Sequence, residues 1–289
     1  MINSLWQKFG KLKDNDKPKI ALVLGGGGVR GFAHIGVFNV LDQEEIPINL
    51  VIGTSIGAII GAFFCAGIPI ESIETLSQKI GITDIASFNI FSTFSFIFSN
   101  KLLSNEKLEK FINNCLNNAD FKDLQIPLIC LATDLRTGEK IILKEGNVAF
   151  AARASATIPG IFKPVEYRQY YLIDGGVSEN IPVNTAKQNY NADIVIAVSA
   201  AANIVTHNMS NSFEILMQSV YIQGKSIDYN SVQKADFLIT PDVSNIPIMD
   251  FEKAKNLDVI EKGSLAAKKV SKNIKKTIIN KCWEKLFLE

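Results

Sequence analysis

Ser55 stands in Gly53-Thr54-Ser55-Ile56-Gly57, a G-x-S-x-G run that can present a serine on a sharp turn between a strand and a helix. Such a serine is a nucleophile for acyl transfer once a neighbour takes its proton and N–H donors hold the oxyanion. Two further segments have the residue types for those tasks. Asp174-Gly175-Gly176 places a carboxylate at the end of the apolar run Tyr170-Tyr171-Leu172-Ile173, with two glycines that permit close approach to another strand end. Gly25-Gly26-Gly27-Gly28-Val29-Arg30-Gly31 follows the apolar run Ile20–Leu24 and opens a helical pattern. Unpaired backbone N–H groups at such a helix start form an anion site.

The base for Ser55 has several candidates. An aspartate at its ordinary pKa of about 3.9 is a weak base, and burial of Asp174 would strengthen it. The histidines are His34 and His207. The order Ser55, Asp174, His207 matches the order in α/β-hydrolases. The elbow, however, follows only the second strand, and His207 lies in a polar stretch. His34, one turn into the helix after the glycine run, suits a hydrogen bond that orients the loop. Gly26, Gly28 and Gly31 also satisfy G-x-G-x-x-G, but the second strand ends in Gly53-Thr54-Ser55 and not in the acidic residue that holds a ribose. No Gly-Lys-Ser/Thr follows, so a phosphate-binding P-loop also fails. His, Cys and carboxylates show no metal-ligand spacing near these segments, and the expectation is no metal and no cofactor. Asp134 and Arg153, polar residues in apolar surroundings, read as structural.

Taken in order, the three segments resemble the bacterial patatin-like phospholipase family. Gly26 to Gly31 matches its glycine-rich loop with a basic residue, Gly53 to Gly57 its serine elbow, and Asp174-Gly175-Gly176 its aspartate turn. Ala132 to Gly138 and Arg153 to Phe162 look like two further segments of bacterial members, and the resemblance runs from about Lys19 to about Val243. It implies a Ser55–Asp174 dyad without histidine or metal. It also implies an oxyanion hole at Gly26, Gly27 and Gly28, with Arg30 stabilising either charge or the loop, and motif glycines Gly31, Gly53, Gly57, Gly175 and Gly176. The implied reaction is hydrolysis of a fatty-acyl ester in phospholipid or lysophospholipid. Two other readings stay open: a carboxylesterase or acyltransferase in which Ser55 uses a histidine, and a catalytically silent regulatory module.

These residues need a scaffold that brings three strand ends together. Continuous apolar runs at 20–24, 48–52, 128–132, 140–143, 194–198 and 237–240 alternate with helical patterns such as 56–64. Unbroken apolar strands must be covered on both faces, which predicts a three-layer α/β sandwich with a mostly parallel central sheet; the resemblance implies that this sandwich is patatin-like in fold. The site then lies at the carboxyl ends of the strands.

At 289 residues and 47% hydrophobic, the chain can build one large domain with an appendage. The expected division is a catalytic domain over 18–245 and a basic helical extension over 246–289 packed on it. A net charge of +1 gives no global attraction for nucleic acid, so none is expected as a partner, and any peripheral membrane contact must come from local patches. Oligomeric state is left open. Cys65, Cys115, Cys130 and Cys282 lack paired spacing, which favours a reducing compartment. The first residues lack a signal-peptide pattern, and no run approaches the roughly 20 apolar residues of a membrane span. The expected location is cytoplasmic, with peripheral membrane association open.

Two regions fall outside this plan. Residues 85–100 carry Phe88, Phe91, Phe94, Phe96 and Phe98 with no charge, which suits either a lipid-facing flap over the site or ordinary core. From Lys262 to Glu289, eight lysines face two acids, and Val270, Ile274, Ile278 and Cys282 recur every fourth residue. That basic amphipathic helix suits an anionic membrane surface or packing on the domain, and packing is favoured. Leu5, Trp6, Phe9 and Leu12, with nearby lysines, form a weaker version of the same pattern.

Overall fold

Residues 17–79, 102–201, 212–256 and 258–287 are described by a computed structural model of the chain. The Phe-rich segment 85–100, His207 and the N-terminal pattern at 5–12 lie outside these residues.

Ile20–Leu24 forms β1, buried along its whole length. It is flanked in parallel by β2 (Leu50–Thr54) and β7 (Ile194–Val198). Parallel pairing continues from β2 to β3 (Leu128–Asp134) and from β7 to β8 (Phe237–Ile239). Three antiparallel strands complete the sheet: β4 (Lys140–Leu143), β5 (Val165–Tyr167) and β6 (Tyr170–Asp174). The eight strands run in the order β5-β6-β3-β2-β1-β7-β8, with β4 on β3. The mostly parallel sheet thus agrees with the apolar-run reading. The second strand lies two residues further along than expected, and β5 was not legible, because three residues with a charged centre carry no apolar run.

Side chains alternate across the strands, so the sheet separates two cores. Ile20, Leu22, Leu24, Ile194, Ile196 and Val198 join the larger core. Ala21, Val23, Val195 and Ala197 join the smaller one. The larger core is covered by α1 (Ala33–Gln43), α2 (Ile56–Cys65), α4 (Glu106–Leu116) and α5 (Val148–Ser155), with α3 (Ile70–Lys79) beside α1 and α2. The smaller core is covered by the segment after α6 (Gly176–Glu179) and by the end of α7 (Ser212–Val232). These are the three layers.

Past β8, the chain forms α8 (Phe251–Asn256) and the long α9 (Val259–Phe287). The α9 stripe of Ala267, Ile274, Ile278 and Cys282 is buried in the larger core, against α1. Gly36 and Gly263 sit where α1 and α9 cross; a β-carbon on Gly36 would fall 1.9 Å from the Ile260 carbonyl oxygen. Lys275 pairs with Glu44 and Lys285 with Asp193, while other lysines of the helix face water. The apolar stripe of this helix is therefore occupied by packing.

Candidate active site

Strand register explains why a serine and an aspartate 119 positions apart in sequence meet. Ala132 and Thr133 of β3 pair with β4 on one side and β6 on the other. Cys130 and Leu131 pair with β4 and with β2. Strands β2 and β6 therefore share one edge of β3 and approach from opposite directions. Thr54, the last residue of β2, lies opposite Leu131, and Asp174, the last of β6, lies opposite Ala132. The two strand ends meet, and Ser55 is the next residue.

Ser55 has φ 55° and ψ −123°, a conformation L-residues seldom adopt. Such a residue carries on the order of 1–3 kcal/mol of strain and persists only where its surroundings hold it. Here its N–H donates to the Ser155 hydroxyl (2.9 Å), and its carbonyl accepts from Ala58 N–H (2.9 Å) at the start of α2. Gly57 lets that helix begin against β1, since a β-carbon there would lie 2.3 Å from the Leu24 carbonyl oxygen. Gly53 lies beneath the same turn, packed on Ala58.

The Ser55 hydroxyl hydrogen-bonds to the Asp174 carboxylate. Asp174 Oδ1 also accepts from Gly176 N–H (2.8 Å), and its carbonyl accepts from the Thr133 hydroxyl (3.0 Å). The residue is 9% exposed and Ser55 8%. Burial pushes the Asp174 carboxyl up to about 6, with the bonds from Ser55 and Gly176 offsetting part of the rise. Gly175 packs against the Leu131 carbonyl at the turn that follows.

The glycine loop divides its amides between structure and cleft. Gly25 N–H donates to the Val198 carbonyl (3.0 Å) and Val29 N–H to the Ile248 carbonyl (2.9 Å). Gly26 N–H donates to Asn180, at 3.1 Å to the side-chain oxygen. Of the three expected donors, Gly26 thus has its amide engaged by Asn180. Gly27 and Gly28 precede and open a 3-10 turn at Gly28–Phe32, and both line the cleft beside Ser55. No protein acceptor faces their amides among the described residues. Gly28 has φ +57°, and a β-carbon would fall 2.2 Å from the Ile248 carbonyl oxygen. Arg30 is buried, and its Nε donates to the Ile246 carbonyl (2.6 Å). Of its two expected roles, the geometry supports fixing the loop. Gly31 packs under the Ile56 side chain.

His34 also serves the loop. Its Nε2 bonds the Gly25 carbonyl (2.8 Å), which makes that nitrogen the protonated one, and burial lowers its pKa to about 4. It is a neutral imidazole engaged with the glycine loop. Asp134 accepts from the Thr137 hydroxyl (2.8 Å) and the Tyr171 amide (2.9 Å), and Arg153 pairs with Glu109 (3.0 Å). Both hold structure, as their surroundings suggested. Among the described residues, no group of three His, Cys, Asp or Glu is placed to hold a metal ion.

Two cavities meet at Ser55. One, with about 840 Å³ of empty space, is apolar; Ile56, Ile59, Ile60 and Phe63 of α2 line it together with Leu76, Leu108 and Phe111. The other, about 540 Å³, is lined by Gly26, Gly27, Gly28, Asp174 and Asn180, with Val220 and Gly224 of α7 across from them. Sequence reasoning did not single out Asn180 or Ser155. Ser155 lies inside a segment already noted and Asn180 four residues past the Asp174-Gly175-Gly176 turn, yet the role of each depends on a partner more than 90 positions away.

A family model described as "Patatin-like phospholipase" matches residues 22–187 of the chain. An NTE family protein of Mycobacterium tuberculosis is 31% identical over 189 residues, covering 65% of this chain and 51% of that protein. A patatin-like phospholipase domain-containing protein of Caenorhabditis elegans is 34% identical over 191 residues, covering 62% of this chain and 13% of that one. Lysophospholipase NTE1 of Candida albicans is 29% identical over 174 residues, covering 58% and 12%. The chain thus spans about half the length of its mycobacterial relatives and far less of the other two. Among solved structures, VipD from Legionella pneumophila superposes with a TM-score of 0.49 at 13% identity, covering 89% of this chain and 67% of that one.

Proposed function

From the membership of this chain in the patatin-like phospholipase family, we propose that it hydrolyses fatty-acyl esters of phospholipids or lysophospholipids with a Ser55–Asp174 dyad. The observation that carries the reading is the Ser55 hydroxyl bonded to a buried carboxylate whose pKa is raised to about 6, beside two cleft amides with no protein acceptor. Ser55 Oγ attacks the ester carbonyl while its proton passes to Asp174. The amides of Gly27 and Gly28 hold the developing oxyanion, helped by the N-terminus of the 3-10 turn they open. Collapse of the tetrahedral species expels the lipid alcohol, which takes the proton from Asp174 and leaves Ser55 acylated. Asp174 then deprotonates a water that attacks the acyl-enzyme and restores the serine.

The shape of the cleft supports a lipid substrate. The apolar cavity runs along the Ile56, Ile59, Ile60 and Phe63 face of α2, where an acyl chain buries its methylenes at roughly 0.8 kcal/mol each. The second cavity, with the polar turn at Asp174, receives the alcohol side. Contact with a lipid aggregate is supported by α7. Val220 and Gly224 line the cleft, and the same helix turns Ile215, Leu216, Ile222 and Tyr229 outward, each more than half exposed. Exposed apolar side chains at the mouth of a lipid site suit a partner that is itself apolar.

The test is hydrolysis of a panel of phospholipids and lysophospholipids, with a fluorophosphonate probe reporting the serine. Ser55→Ala should abolish both turnover and labelling. Asp174→Asn should lower turnover by about 10³-fold or more, and the double variant no further, because the two residues act as a unit. Asp174→Asn activity within tenfold of wild type would overturn the dyad.

A further inference from the structure

Asn180 stands between the two halves of the site. It follows α6, on the turn that leaves Asp174, and its side-chain oxygen accepts the Gly26 amide of the other loop at 3.1 Å. Its own backbone carbonyl is the second acceptor for that amide, at a longer 3.4 Å. The glycine run between Gly25 and Gly28 has no side chain with which to fix itself, and glycine has the greatest backbone freedom to lose. Its conformation is therefore set by what its amides bind. Gly26 on one side and Val29 on the other are amide tethers that flank Gly27 and Gly28, and Asn180 brings a side chain to the first of them.

Asn180 is itself held firmly. The buried Asp228 of α7 accepts from the Ile181 amide (3.2 Å) and from the Asn180 amide. Immediately before it, the buried Glu179 accepts from the Asn184 amide (2.9 Å), the Thr185 hydroxyl (2.6 Å) and Lys140 (2.7 Å). Two carboxylates thus brace the short stretch that carries Asn180. An amide oxygen on so rigid a support can orient a flexible loop.

We infer that Asn180 is a positioning residue for the acyl-transfer step, holding the Gly26 amide so that the Gly27 and Gly28 amides point at the oxyanion beside Ser55. The inference rests on the Ser55 mechanism proposed above and adds to it a residue that acts through the glycine loop and not on the serine. Without the side chain, the Gly26 amide loses its shorter acceptor at Asn180 and retains the longer bond to the 180 carbonyl, and the two donors lose their fixed direction. Donor misplacement of this kind costs roughly 10- to 100-fold in rate.

The experiment compares wild type, Asn180→Ala and Asn180→Asp on a soluble short-chain ester across pH, with thermal melts of each and Ser55→Ala as the reference for loss of mechanism. Asn180→Ala should lower kcat by roughly 10- to 100-fold with little change in KM and no shift of the acid limb. Asn180→Asp keeps an acceptor for Gly26 but adds a carboxylate next to Asp174. Both side-chain oxygens lie about 3 Å from the point a β-carbon on Gly176 would occupy, at 2.9 and 3.1 Å. Its acid limb should therefore move to higher pH, with kcat recovering toward wild type above it. A merely structural residue would give parallel losses in melting temperature and activity for both variants, with no recovery at high pH, and that result overturns the proposal. So does an Asn180→Ala enzyme within threefold of wild-type kcat. If Asn180→Ala does not fold, the near-isosteric Asn180→Asp profile decides alone. Activity surviving in Ser55→Ala would instead remove the underlying mechanism.

Discussion

At the scale of single residues, the proposed chemistry depends on moving a carboxylate away from its solution behaviour. Burial raises Asp174 from 3.8 to about 6, which brings its proton affinity nearer to what a general base needs. The base form is the ionised one, so hydrolysis of a soluble ester should fall as pH drops through about 6, well above the ordinary aspartate range. His34, near 4 and engaged with Gly25, contributes no second limb in that window. An acid limb at pH 4 would show that Asp174 is not the titrating group. The same shift has a consequence for stability. The folded pKa lies above the unfolded one, so protonation favours the native state, and that contribution is lost as pH rises through about 6. At pH 8 the fold carries an ionised buried carboxylate, a burden of up to roughly 3 kcal/mol. Asp174→Asn should consequently melt at or above the wild-type temperature at pH 8, with the advantage shrinking below pH 4. A variant that melts lower at pH 8 than wild type would contradict this account.

At the scale of elements, the helices on either side of the cleft divide the work. The α2 helix presents the serine at its start and an apolar face along its length, so in the proposed mechanism one element supplies both the nucleophile and much of the acyl wall. On the other side, α7 combines a buried face through Gly224 and Asp228 with an outward face of Ile215, Ile222 and Tyr229 at i, i+7 and i+14. Outward residues do not hold the fold, and substitutions there change stability by about 0.5 kcal/mol or less. The double variant Ile215→Ser, Ile222→Ser should therefore keep wild-type melting and wild-type rates on a soluble ester. Its activity on phospholipid vesicles should fall several-fold, together with vesicle co-sedimentation. Equal rates on both substrates would show that this face does not meet lipid.

At the scale of the whole molecule, the C-terminal segment belongs to the same core as the sheet that carries the site. Val243, Ile246, Val259, Ile274 and Ile278 lie in one buried cluster with β1 and α1. The carbonyls of Ile246 and Ile248 hold Arg30 and Val29 of the glycine loop. Burying Ile274 and Ile278 alone contributes roughly 3–6 kcal/mol, a large share of a typical total of about 5–15 kcal/mol. A chain ending at residue 258 should lose its cooperative melt and its fluorophosphonate labelling together. A truncated chain that melts cooperatively and still labels would mean that α9 only decorates the domain.

The amino-acid sequence by itself determined most strands of the sheet and the long C-terminal helix and marked the candidate reactive groups, because these are written in local pattern. Unbroken apolar runs specified the strands of a covered sheet, fourfold recurrence specified α9, and Ser55 and Asp174 were legible from the glycines around them. Tertiary structure decided what depends on partners distant in the chain. Sharing of one edge of β3 by β2 and β6 joins Ser55 to Asp174, and only the buried environment there raises the carboxylate. Which glycine amides stay available was decided by Asn180, Ile248 and Val198, each far from the loop in sequence. Arg30 likewise reads in sequence either as a charge beside an anion site or as a loop anchor, and only the fold turns its Nε inward onto the Ile246 carbonyl. Backbone hydrogen bonds between distant loops leave no periodicity or motif of their own, and packing alone assigns them.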